Sequence, residues 1–108
     1  MSDGKCWVVR GQIWFGGGLQ ALADALASAG LNVVRGDYAV AIRDWSHFVL
    51  QGVDGRSFDV DADSDTEAEM VEAAERVSSS LRAAKIRHDF EVYCHRAEEA
   101  VKRFAYEA

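Results

Sequence analysis

Proline is absent from the 108 residues, so every reversal of the chain must be made by Gly, Asp, Asn or Ser. Cysteine is scarce. Cys6 and Cys94 are too few for a disulfide framework and lack metal-ligand spacing, and the default that follows is a reducing, cytoplasmic compartment. Basic charge is in deficit, with a net charge of −6. That excludes generic binding to nucleic acid or anionic membranes, where phosphates demand a basic surface. It suits a basic protein partner or a cation. No apolar run approaches the ~18 residues that a membrane span needs, and the first residues lack the basic-then-apolar build of a signal peptide. No repeat or linker divides the chain, so a single soluble domain over residues 1–108 is expected.

What is present is periodic. Residues 6–15 alternate: Trp7, Val9, Gly11, Ile13 and Phe15 share one face, and Cys6, Val8, Arg10, Gln12 and Trp14 share the other, as in a strand. From Leu19 the period becomes helical through Leu22, Ala23, Leu26 and Ala29, with Gly30 placed for a C-terminal cap. Residues 31–44 return to strand, interrupted at Gly36-Asp37 by a bulge or a tight turn. Asp54-Gly55 between the runs 48–50 and 58–62 is a strong hairpin signal.

A long helix is expected over 65–87, with Met70, Ala74, Val77, Leu81 and Ala84 as its buried stripe and Ser64-Asp65-Thr66-Glu67 as a capping box. A strand over 89–95 and a closing helix over 96–106 complete the chain. The order β-α-β-β-β-α-β-α predicts an α+β fold. Its expected form is a single-domain two-layer sandwich, with an antiparallel or mixed sheet carrying helices on one face, of the split βαβ or ferredoxin-like kind.

Four groups of residues invite a functional reading. Gly16, Gly17 and Gly18 connect a strand to a helix, and amides at such a junction can hold an anion. Gly16, Gly18 and Ala21, with Asp37 further on, resemble the dinucleotide-binding fingerprint over that stretch, which implies a pyrophosphate at the helix start and a ribose on the carboxylate. The hairpin signals after Asp37 remove the repeated βα units that such a fold requires. Asp61, Asp63, Asp65 and Glu72 carry the oxygen spacing of a calcium loop, but Thr66 stands where the sharp turn wants glycine. Capping and edge-strand charge explain the same acids, so no metal is expected.

Cys94 and His95 are adjacent on a strand and point to opposite faces, so they cannot form a nucleophile pair. The same alternation separates Cys6 from Cys94 and argues against a disulfide. The fourth group, Arg10, Gln12, Trp14, Trp45, Tyr93 and His95, mixes aromatic, Arg and His side chains as interface cores do.

Acids crowd residues 54–75, whereas Arg82, Lys85, Arg87, Arg96, Lys102 and Arg103 make the C-terminal third basic. Such a dipolar molecule fits a complementary protein or a second copy of itself. No convergent catalytic set and no cofactor motif is found. The expectation is a small acidic, non-catalytic interaction module of inhibitor or immunity type acting by surface complementarity. The alternative is a domain that senses a small anion or nucleotide at the Gly16–Gly18 turn.

Overall fold

In the computed structural model, which describes residues 7–94 and 99–107, the first alternating run forms β1 (Trp7–Trp14). The elements that follow are α1 (Gly18–Ser28), β2 (Val33–Arg35), β3 (Ala39–Ile42), β4 (Phe48–Gly52), β5 (Ser57–Ser64), α2 (Glu67–Ala83), β6 (Arg87–Cys94) and β7 (Lys102–Tyr106). All seven strands join one antiparallel sheet in the order β2-β3-β4-β5-β1-β6-β7. Strands β2 to β5 form a meander, and β1 is inserted between β5 and β6. Because β1 runs antiparallel to both, β5 and β6 are parallel to each other and α2 is the crossover between them.

Period-two alternation then sorts the side chains. Val9 pairs with Ala62 and Val92, and Ile13 pairs with Phe58 and His88. These residues are buried on one face of the sheet together with Val40, Leu50 and Phe90. The apolar stripes of both helices, Leu22 and Leu26 on α1 and Met70, Ala74, Val77 and Leu81 on α2, enter the same cluster. Burying each large aliphatic side chain is worth about 1.5–3 kcal/mol, so this face carries the stability of the domain.

The α+β class and the β4–β5 hairpin follow the sequence reading. In the hairpin, Gly55 takes the left-handed conformation (φ 83°), and the Asp54 carboxylate accepts from the Arg56 amide at 2.9 Å and the Ser57 hydroxyl at 3.1 Å. The strand order is not the ferredoxin-like one, because a four-strand meander lies on one side of β1. Gly36 makes a tight turn, its amide donating to the Ala39 carbonyl at 2.7 Å, so residues 33–42 are two strands.

The closing helix is also corrected. Lys102–Tyr106 is an edge strand paired with β6, matching Phe104 to Phe90 and Tyr106 to His88. Ala100, Val101 and Phe104 have helical spacing, but Phe104 and Tyr106 also alternate, and the open edge of β6 decides between the two. Helix α2 begins later than expected, because Ser64 is still in β5, paired with Trp7. Its N-cap is Thr66, whose hydroxyl accepts from the Glu69 amide at 3.1 Å. It also ends earlier, where Lys85 adopts φ 61° and Ile86 returns to the core.

One position in β1 admits only glycine. A Cβ on Gly11 would overlap the Asp89 carbonyl oxygen and come within 2.9 Å of the Phe90 Cα, both backbone atoms of β6. Gly11→Ala must therefore push two central strands apart. The expected cost in urea unfolding is about 3 kcal/mol or more. Gly16→Ala, where a Cβ meets nothing within 4 Å, is the control and should fall within about 0.5 kcal/mol of the parent.

Candidate functional site: the open face of the sheet

The second face of the central strands carries Arg10, Gln12 and Trp14 from β1, flanked by Asp61, Asp59 and Ser57 on β5 and by Glu91, Asp89 and Arg87 on β6. Val8, itself buried, completes the β1 row beside Asp63 and Tyr93, and Arg103 of β7 stands beside Glu91. Among the described residues no helix contributes to this face. Its central and flanking charged groups are Asp59, Asp61, Asp63, Asp89 and Glu91 against Arg10, Arg87 and Arg103, an acidic surplus.

Several of these groups organise one another. Arg10 pairs with Asp61 at 2.5 Å, and His47 lies 3.6 Å from the same carboxylate. Gln12 donates to Asp59 at 3.3 Å. Arg103 forms a two-pronged bond to Asp89, at 2.9 and 2.6 Å; the guanidinium hydrogen bonds hold that carboxyl below its ordinary value. The Arg87 guanidinium sits 4.3 Å from the ring centre of the half-buried Trp14, a cation–π contact across the β1–β6 pairing. Two shallow hollows flank β1. One of about 280 Å3 is bordered by Arg10, Gln12, Trp14, Asp89 and Glu91, and one of about 600 Å3 by Arg10, Gln12, Gln51, Asp59 and Asp61.

The six residues expected to form an aromatic and polar patch are thus partly assembled. Arg10, Gln12, Trp14 and Tyr93 share the open face, but as a row. Trp14 and Tyr93 stand at opposite ends, six β1 positions apart by register, or about 20 Å. Trp45 is elsewhere: it packs on Phe48 at 5.7 Å between ring centres and under Arg76 of α2 at 5.4 Å. His95 lies outside the described residues. Sequence reasoning missed Arg87, Asp89, Glu91 and Arg103 as members of this surface. The alternation of β6 shows which face they take, but only strand order brings them beside β1.

Gly17 is the N-cap of α1 and offers no side-chain cap, while Gly18 takes φ 93°. Strands β1 and β2, which flank α1, are separated in the sheet by β3, β4 and β5, so the adjacent parallel β-α-β unit that the fingerprint spacing implied is not formed. The calcium-loop residues are dispersed. Asp61 and Asp63 lie along β5 with Asp61 held by Arg10, and Asp65 and Glu72 follow in the bend and on the exposed side of α2. Among the described residues no three His, Cys, Asp or Glu side chains converge for a metal ion, and no helix is long and apolar enough to cross a membrane.

Two further groups have chemistry of their own. His88 is buried, with Nδ1 2.9 Å from the Ile86 carbonyl and Nε2 2.7 Å from the Ser78 hydroxyl. A carbonyl can only accept, so Nδ1 carries the proton and Nε2 accepts from Ser78. Tyr106 stacks over the imidazole at 6.1 Å. With both side chains enclosed, the pair is a satisfied core contact and has no substrate access. Cys94 corrects an expectation: it is disulfide-bonded. Its possible partner within a chain of two cysteines, Cys6, lies outside the described residues. Unpaired cysteines were the ground for assigning a reducing compartment, and that ground is removed.

No family model, curated protein or solved structure matches this chain. The class is therefore defined by the geometry alone: a small α+β domain whose seven-stranded sheet is packed by helices on one face and left polar and acidic on the other.

Burial pushes the His88 pKa below its ordinary value, opposed by the Ile86 hydrogen bond. The unfolded chain then binds the proton more readily, so stability is full above pH ~6.5 and is lost as pH falls through the folded value. Urea midpoints from pH 8 to pH 5 should drop across that window, and His88→Gln should flatten the drop. For Cys94, thiol titration of the oxidised protein should find no reactive group. Reduction should cost about 2–4 kcal/mol, read as a fall in Tm of roughly ten degrees or more.

Proposed function

We propose that this chain is a non-catalytic protein-interaction module, of inhibitor or immunity type, and that it acts through the open face of β5-β1-β6. One observation carries the reading: Arg10, Gln12, Trp14 and Tyr93 stand in a row along a face that no described helix covers, between hollows rimmed by Asp59, Asp61, Asp89 and Glu91. A rigid aromatic anchor with an adjacent Arg inside a polar rim is the usual composition of a binding centre. The acidic surplus selects a partner with a basic patch, and a second copy offering its own basic C-terminal third is the simplest self-partner.

Small-ligand sensing beside the Gly16–Gly18 turn is a second reading. It is favoured by a cleft lined by Gly18 and Leu19 at the start of α1.

Affinity capture from the native host separates the face from the rest of the molecule. A partner retained by the parent and by Glu75→Ala, an exposed position on α2, should be lost with Arg10→Ala/Trp14→Ala, by about thirtyfold in affinity for a hot-spot pair. Binding should also weaken with added salt. Equal capture by all three proteins would contradict the proposal.

A further inference from the structure

We propose that the cleft between the start of α1 and the β4–β5 hairpin binds a small organic cation with an apolar or aromatic body. This cleft has a volume of about 350 Å3 and lies between Leu19, Tyr38, Val53 and Phe58, with Asp54 at its rim. That volume is within the range of small-molecule sites, which are mostly apolar with few polar groups. The inference is independent of the open face and would survive the loss of the interaction reading.

The apolar surface here is exposed at a cost. Tyr38 is 76% and Val53 55% exposed, two large apolar side chains left in water around the same cleft. Phe58 is buried beneath it. The space above that ring stays open because residue 52 is glycine: a Cβ there would lie 3.3 Å from the Tyr38 carbonyl and 3.7 Å from the Phe58 ring. The Gly52 amide donates to that same carbonyl at 2.8 Å, so the backbone at Tyr38 is fixed to β4. Walls and floor are thus built by the fold.

Charge sets the sign of the ligand. Asp54 is the one charged residue among the described lining. Its carboxyl is kept ionised by the Arg56 amide and, next, the Ser57 hydroxyl, which hold its pKa below the ordinary value. The positive end of the α1 dipole, near Gly18 and Leu19, opposes a cation. It amounts to roughly half an elementary charge spread over a helical turn, against a full charge on Asp54. Tyr38 and Phe58 supply aromatic surface that also favours a cation. The combination reverses the expectation of a phosphate at this end of α1.

Three probes of nearly the same size test the sign: phenethylamine, 2-phenylethanol and phenylacetate, titrated into the 15N-labelled protein. Shifts should map to residues 18–19, 38 and 52–55. The amine should bind about fivefold tighter than the alcohol, as one exposed charge contact allows, and phenylacetate should bind most weakly. Asp54→Asn retains an acceptor for the two turn hydrogen bonds. It should melt like the parent, bind the alcohol unchanged and lose the preference for the amine, whereas Tyr38→Ala should weaken all three probes. No shifts at these residues, equal binding of amine and alcohol, or a preference for phenylacetate would each overturn the proposal. So would an amine preference that persists in a folded Asp54→Asn protein.

Discussion

Strand β1 is hydrogen-bonded along both edges over its whole length, to β5 on one side and β6 on the other, and the rest of the molecule is arranged around that insertion. Strands β5 and β6 must run parallel, so the chain needs a long crossover between them, and α2 supplies it. The crossover places Met70, Val77 and Leu81 over Val9 and Ile13, which makes one face of the sheet the core. At Gly11 the backbone of β6 leaves no room for a side chain. A single glycine therefore permits the spacing of β1 and β6.

The two faces are held by different physics. On the core face, Val9, Ile13, Leu22, Leu26, Phe48, Phe90 and their neighbours are removed from water, and the buried imidazole of His88 has both nitrogens satisfied. On the open face the contacts are ion pairs between half-exposed groups; Arg10 and Asp61 retain 50% and 57% of their side-chain exposure. Pairs of that kind contribute about 0–1 kcal/mol each. Folding does not depend on this pattern. The pairs do fix where Arg10, Gln12 and Trp14 stand, and under the proposed function that order would lower the entropy lost on docking.

Much of this was legible in the sequence, and the failures have local causes. Asp54-Gly55 specified its hairpin, and the stripes Leu22–Leu26 and Met70–Leu81 specified their helices, because each signal is complete within a few residues. Ser64 read as a helix cap because it is followed by Asp65, Thr66 and Glu67. Pairing with Trp7, which lies 57 positions earlier, keeps it in β5 and passes the cap to Thr66. Lys102–Tyr106 satisfied two periods at once, and the vacant edge of β6 selected the strand. The row Arg10, Gln12, Trp14 was visible as one side of an alternating run. Its flanks were not, since nothing local to Asp59 or Asp89 shows that β1 lies between them. Trp45 was grouped by composition, and only the α2 crossover reveals that Arg76 and Phe48 enclose it on the other face.

The central claim is that β1 separates a dry face from an open one, and the most direct test is solvent paramagnetic relaxation. With a soluble gadolinium chelate, the side-chain resonances of Arg10, Gln12 and Trp14 should broaden strongly, while the methyls of Val9 and Ile13 remain sharp. Similar protection of both sets would contradict the account, because it would mean that a second layer covers the face on which the proposed function rests.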